Sequence, residues 1–191
     1  AAAIIGLDAG CVVVENSLVA LQTLAAAHRE SFKGCVVGIT GSNGKTVVKE
    51  WIAQVAPSNL KVYRSPKSYN SQIGVPLSLL MMPDDVDVAV IEAGISKKGE
   101  MERLERIIRP QIGVFTTLGA AHDENFDCRQ TKLNEKLQLF KGCQTIIYNS
   151  AVENLAAALN EVAPLARKID AAEYAPECNA DGGRIACENG V

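Results

Sequence analysis

Residues Cys35 to Thr46 read CVVGITGSNGKT. The first half is an apolar, β-branched run of strand type, and the second is a glycine turn ending in Lys-Thr, where a helical pattern begins and runs from Lys45 to Ala56. A strand that enters a glycine loop and then a helix is the setting in which a phosphate loop is credible. Gly41 and Gly44 let the chain turn sharply around Ser42 and Asn43. The N–H groups of the loop and of the helix start at Lys45, Thr46 and Val47 would then face a polyphosphate. Lys45 would neutralise β and γ oxygens, and the Thr46 hydroxyl would reach a magnesium ion bridging them. Five residues separate Gly38 from Gly44, where the commonest pattern has four. An ordinary strand-to-helix turn would leave the Lys-Thr pair unexplained.

Outward from this loop, short β-branched runs alternate with amphipathic segments, the pattern of βαβ units and a parallel sheet. Strands are expected at 35–40, 60–64, 87–93, 112–116, 145–149 and 167–170. Helices are expected at 17–29 with Asn16 or Ser17 as N-cap, and at 45–56, 98–108, 128–140 and 151–162. The class is α/β, a mostly parallel sheet flanked by helices. Residues 1–32, with a short strand at 11–14 and one helix, read as the end of a preceding domain and its connector. Residues 33–191 read as the central domain, its tail from 171 suggesting a turn and a short hairpin.

The chain has 191 residues and a formal charge of -3, which excludes a general nucleic-acid or anionic-membrane surface. No apolar run approaches the roughly 20 residues that span a bilayer. The opening residues lack a signal-peptide pattern, so the expectation is a cytoplasmic protein with no membrane insertion. Six dispersed cysteines form no C-x-x-C pair, which argues for reduced, small apolar residues rather than zinc ligands or a disulfide framework.

Several further residues invite a chemical reading. Glu92 ends the run DVDVAVIEA, where alternation places it at the carboxyl edge of the sheet, the edge at which open α/β sheets bind ligands. From position alone it could equally cap or pair with a lysine. His122 follows the strand at 112–116; a lone loop histidine is more often bland than a ligand. Lys136 in EKLQLF reads by itself as a solvated lysine beside a buried face, with Lys132 one helical turn earlier. Asn70 falls in the loop after the strand at 60–64. His28 lies on the first helix without partners in sequence and reads as a surface residue.

The loop G-x-T-G-S-N-G-K-T resembles that of the Mur ligases and their relatives, the folylpolyglutamate synthases. The segments SYNSQIGVPLSLL, IEAG, GEMERLERIIRP, FTTLGAAHDENF and EKLQLF follow in that family's order, over roughly residues 35–149. Together they point to the D-alanyl-D-alanine-adding branch, and the wording EAGIS and AAHDENF is most similar to ligases fused to alanine racemase. The resemblance implies a P-loop NTPase-like central domain of an ATP-dependent carboxylate–amine ligase of peptidoglycan precursor synthesis. The substrates implied are ATP, a UDP-N-acetylmuramoyl tripeptide (UDP-MurNAc-tripeptide) and D-alanyl-D-alanine (D-Ala-D-Ala), joined through an acyl phosphate. It further implies Mg2+ held by Thr46, Glu92 and His122, a carbamylated Lys136 supporting a second ion, and Asn70 near the phosphates. Lys45, Asn70, His122 and Lys136 would be the catalytic set. Ser71 and Gln72 stand where the family has a second asparagine and an acidic residue. A C-terminal ligase domain, and beyond it a racemase, would complete the full-length protein, and the part read here would be a poor catalyst alone. A folylpolyglutamate-synthase-like ligase and a GTP-binding regulatory switch are the alternatives; no N-K-x-D-like guanine motif supports the latter.

Overall fold

The structure, a computed structural model, describes residues 12–119, 125–126 and 128–174. Six strands form one sheet: β1 (Cys35–Thr40), β2 (Val62–Arg64), β3 (Val88–Glu92), β4 (Ile112–Phe115), β5 (Thr145–Tyr148) and β6 (Arg167–Asp170). Their order is β2-β3-β1-β4-β5-β6 and every pairing is parallel, as the βαβ alternation requires. β1 is central, with β3 on one side and β4 on the other. The chain therefore reverses its direction of winding beside the glycine loop, the position at which such sheets open a crevice.

Alternation along the strands divides the core. Val37, Ile39, Val90 and Val114 face α2 (Lys45–Val55), where Val48 and Ile52 pack on them. Val36, Ala89, Ile91, Phe115 and Ile146 point the other way, into the larger core. That core is covered by α1 (Ser17–Ser31), α3 (Gly74–Leu80), α4 (Glu100–Ile108), α5 (Arg129–Leu137) and α6 (Leu155–Val162). A 3-10 turn over Gln138–Phe140 tightens the end of α5 and buries Phe140. The Phe140 ring lies over Gly113, where an added Cβ would meet it at 2.5 Å, and meets Phe115 edge-on with centroids 6.5 Å apart.

α1 is capped by the Asn16 side chain, which accepts from Leu18 N and Val19 N, and it packs on α3 and α4. Its Arg29, 6% exposed, donates from Nε to Ile108 O at 2.8 Å and from Nη2 to Arg109 O at 3.0 Å. Those are orphan carbonyls at the end of α4, where Arg109 is left-handed (φ 45°).

Several sequence expectations need correction. α3 is a helix over a stretch to which no element was assigned. α4 starts at Glu100 rather than Lys98, because Gly99 turns at φ 81° and the Glu100 carboxylate accepts from Ser96 N and Lys97 N. α6 starts at Leu155 rather than Ala151, after a left-handed Asn154. His28 is not a bare surface residue: it is half-buried, with Nε2 3.1 Å from Met82 O. Residues 12–14 carry no strand, and residues 171–174 form a 3-10 turn. The rest of the expected strand and hairpin, with Cys11, Cys178 and Cys187, lies outside the described residues. Among those described, Cys143 is buried, whereas Cys128 is exposed at the N-cap of α5, where its Sγ accepts from Thr131 N.

Candidate functional site

The carboxyl end of β1 delivers the chain into the glycine loop with two turns that need glycine. Gly41 has φ 144° and Gly44 φ 79°, and a Cβ at Gly41 would lie 2.0 Å from Thr116 Oγ1. The segment after β4 is stitched to this loop. Ser42 N donates to Thr117 O at 2.7 Å, Thr116 Oγ1 to Asn43 O at 2.6 Å, and Ser42 Oγ to Gly119 O at 3.2 Å. Gly44 is the N-cap of α2 and offers no side chain to the first-turn N–H groups. These are the donors a phosphate would take. Lys45 folds back over its own loop, Nζ donating to Gly41 O at 3.0 Å and Ser42 O at 3.2 Å. Burial lowers its pKa, against an opposing pull from Glu92.

Thr46 and Asn70 converge on Glu92. Thr46 Oγ1 donates to Glu92 Oε2 at 2.9 Å and Asn70 Nδ2 to Glu92 Oε1 at 2.6 Å. The carboxylate is 1% exposed at the end of β3, where alternation puts it on the α2 side of the sheet. Sequence reasoning missed a fourth member, Lys49. It is fully buried on α2, one turn beyond Lys45, with Nζ 3.7 Å from Glu92 Oε2.

α5 closes the other side. Lys136 is 3% exposed and donates from Nζ to Gly41 O at 3.1 Å. Burial first, and then the charges of Lys45 and Lys132, push its pKa down to about 7. The register that brings it there is keyed at both ends: Glu135 Oε1 accepts Met101 N at 3.1 Å, and Phe140 sits on Gly113. Neither lysine is the solvated one that the sequence alone suggests for Lys136: Lys132, one turn earlier, is 1% exposed and donates to Gly119 O. α5 packs inward along this whole face, so both lysines are buried, and each addresses a different loop.

Between these groups lies a cavity of about 260 Å³, lined by Gly41, Lys45, Asn70, Gly94, Glu100 and Lys136 among others. Of the residues read from sequence, the structure assembles Gly41, Ser42, Asn43, Gly44, Lys45, Thr46, Asn70, Glu92 and Lys136 around one loop. Val47 lies on α2 with its side chain half exposed, so only its backbone could serve a phosphate. His122 lies outside the described residues, in the stretch that continues from Gly119. Among the described residues no three His, Cys, Asp or Glu side chains cluster as metal ligands. One carboxylate and one hydroxyl, both hard oxygens, still suit magnesium, which ordinarily keeps several waters and takes phosphate oxygens rather than an all-protein cage.

A family description, the Mur ligase middle domain, matches residues 39–181. A curated relative from Bacillus subtilis, UDP-N-acetylmuramoyl-tripeptide–D-alanyl-D-alanine ligase, is 37% identical over 131 residues. That alignment covers 69% of this chain and 29% of the relative, so the chain spans under a third of the relative's length. The solved MurF of Acinetobacter baumannii superposes with TM-score 0.78 at 26% identity, over 86% of this chain and 38% of that one. The MurF ligase of Thermotoga maritima in complex with ADP gives 0.72 at 28%, over 83% and 37%.

Proposed function

Because the chain belongs to the Mur ligase family, whose middle domain it carries, we propose that it is the nucleotide-binding part of an ATP-dependent ligase that adds D-Ala-D-Ala to a UDP-MurNAc-tripeptide. Residues 1–32 would end the preceding UDP-substrate domain and residues 33–191 form the central one, the remaining domains lying elsewhere in a longer cytoplasmic enzyme. The observation that carries the reading is the convergence of Lys45, Thr46, Asn70, Glu92 and Lys136 on one glycine loop at the carboxyl edge of a parallel sheet.

A terminal carboxylate oxygen of the tripeptide attacks the γ-phosphorus of ATP, ADP leaves, and an acyl phosphate forms. The amine of D-Ala-D-Ala then attacks the acyl carbon, loses a proton, and expels phosphate to leave the amide. The chain's part is to position and neutralise. The first-turn N–H groups of α2, at Lys45, Thr46 and Val47, would hold the β and γ oxygens, since Ser42 N already donates to Thr117 O, and Lys45 would swing from the Gly41 and Ser42 carbonyls onto them. Thr46 and Glu92, with His122 shortly after Gly119 in the sequence, would hold magnesium, which would supply charge neutralisation to the phosphates. Asn70 fixes the rotamer of Glu92.

Lys136 fits the role of a carbamate-forming lysine. Burial lowers its pKa to about 7, so near neutral pH a neutral Nζ lone pair is available to attack the carbon of CO2, releasing one proton and leaving an N-carboxylate of charge -1. The change replaces repulsion from Lys45 and Lys132 by attraction, and gives an anion suited to support a second ion.

The test is substrate choice by the full-length enzyme, read as ADP release and product mass. The muropeptide with D-Ala-D-Ala is expected to turn over, and folate with glutamate is not. Turnover with folate and glutamate, or with GTP in preference to ATP, would replace this reading by one of its alternatives.

A further inference from the structure

Lys49 has no part in the reaction as described, yet it is one of the most thoroughly buried side chains in the protein, at 0% exposure. A lysine in such a place must satisfy three N–H donors and a charge. Its Nζ donates to Ser65 O at 2.7 Å and to Lys67 O, two carbonyls that bracket Pro66 at the end of β2. The charge faces two carboxylates, each at 3.7 Å: Glu92 Oε2 and Glu50 Oε1. Glu50 is 37% exposed and already bonded to Arg64 Nε at 2.7 Å, so it has a cation of its own. Glu92 is 1% exposed, its hydrogen-bond partners Thr46 and Asn70 are neutral, and Lys45, which also feels its charge, turns its Nζ to the Gly41 and Ser42 carbonyls instead. Lys49 is therefore the cation that offsets the buried charge of Glu92.

The same ammonium sets the loop that supplies Asn70. Lys67 is left-handed at φ 48°, an uncommon state for a lysine, and Lys49 holds its carbonyl there. Three residues later Asn70 reaches Glu92, and Ser65 Oγ accepts Glu92 N at 3.3 Å. One side chain thus ties carboxylate and loop together.

We propose that Lys49 is the standing counter-ion of Glu92: it keeps the carboxylate in place before any metal arrives, and keeps free Mg2+ from binding there until nucleotide phosphates add their own negative charge. The inference rests on the reading of Glu92 as a magnesium ligand. With Lys49 present, carboxylate and ammonium sum to zero, and a dication gains little from the pair. Without it, an uncompensated buried carboxylate remains, which is costly to the fold and attractive to a dication.

The experiment is a thermal-unfolding series on the full-length enzyme with Mg2+ alone, and calorimetric ADP binding with and without Mg2+. Lys49→Met is expected to lower Tm without metal and to regain several degrees with millimolar Mg2+ and no nucleotide; the wild type is expected to be unmoved by Mg2+ alone. Lys49→Met/Glu92→Gln is expected to recover part of the lost Tm, the Ser65 and Lys67 carbonyls staying without their ammonium, and to ignore Mg2+. If Lys49→Met does not fold, the double variant decides: a restored cooperative transition supports the counter-ion role and its absence overturns it. Equal Mg2+ responses in wild type and Lys49→Met would also overturn it. Glu92→Gln alone separates the two levels. If it leaves the Mg2+ enhancement of ADP binding intact, the metal-ligand reading of Glu92 fails. If it weakens that enhancement while Lys49→Met gains no Mg2+ response, only the counter-ion inference fails.

Discussion

Lys136 and Lys132 show how one helix face can carry two different jobs. Lys136 reaches the glycine loop at Gly41 O, whereas Lys132 reaches the segment after β4 at Gly119 O. Lys136→Ala in the full-length enzyme is expected to remove most activity, and acetate to restore part of it by filling the vacated anionic position. Lys132→Ala is expected to weaken activity and stability with no rescue by acetate, because its role is to hold a carbonyl; acetate rescue of Lys132→Ala in place of Lys136→Ala would reverse the assignment. The unmodified amine also leaves a signature in stability. Its folded pKa is near 7 against 10.5 for a free lysine, so between those values the unfolded chain binds more protons than the folded one. Stability then rises with pH through that window, and the full burial penalty applies below it. In CO2-free buffer the stability of wild type relative to Lys136→Met should climb from pH 7 to 9 by up to roughly 1.4 kcal/mol per pH unit. A difference that stays flat would mean that Lys136 is not held as a buried amine.

Among the elements, the first helix is tied to the domain by a buried arginine. Arg29 closes the carboxyl end of α4 by donating to Ile108 O and Arg109 O, with a third bond to Phe32 O at 3.4 Å, and a shorter apolar side chain replaces none of these. Arg29→Met is expected to cost about 2–4 kcal/mol, because it leaves orphan carbonyls at a helix end. Urea unfolding should show the loss as a lower midpoint with an unchanged slope; a loss below half a kcal/mol would mean that α1 is only loosely attached. The strands, and the helices with long amphipathic patterns, were legible in the sequence because apolar alternation and glycine punctuation act locally. α3 was not, since it has only seven residues, contains Pro76, and has at its N-cap position Ile73, whose side chain cannot cap. The inward placement of Lys49 and Lys132 was equally hidden. A lysine one turn from another lysine reads as a wet face, and only the packing of α2 on β2 and β3, and of α5 against the β4 loop, makes those positions dry. Glu92 was legible as an edge carboxylate, but its bonds to Thr46 and Asn70 depend on which strands are neighbours, and strand order is set by tertiary packing.

At the scale of the whole molecule, the sheet order brings three separate stretches to one edge: the loop after β1, Glu92 at the end of β3, and Thr116 to Gly119 after β4. α5 then lays Lys136 over the top. Such an arrangement suits a reaction that needs charge gathered around a transferring phosphoryl group and water kept from an activated acyl intermediate. In the proposed reaction the substrate's own carboxylate attacks the γ-phosphate. The most direct test is to label the reacting carboxylate of the muropeptide with 18O, run the full-length enzyme with Mg-ATP and D-Ala-D-Ala, and weigh the phosphate released. Transfer through an acyl phosphate carries one labelled oxygen from the carboxylate into inorganic phosphate, with ADP unlabelled. Label found in AMP, or phosphate released without label while the amide forms, would contradict it.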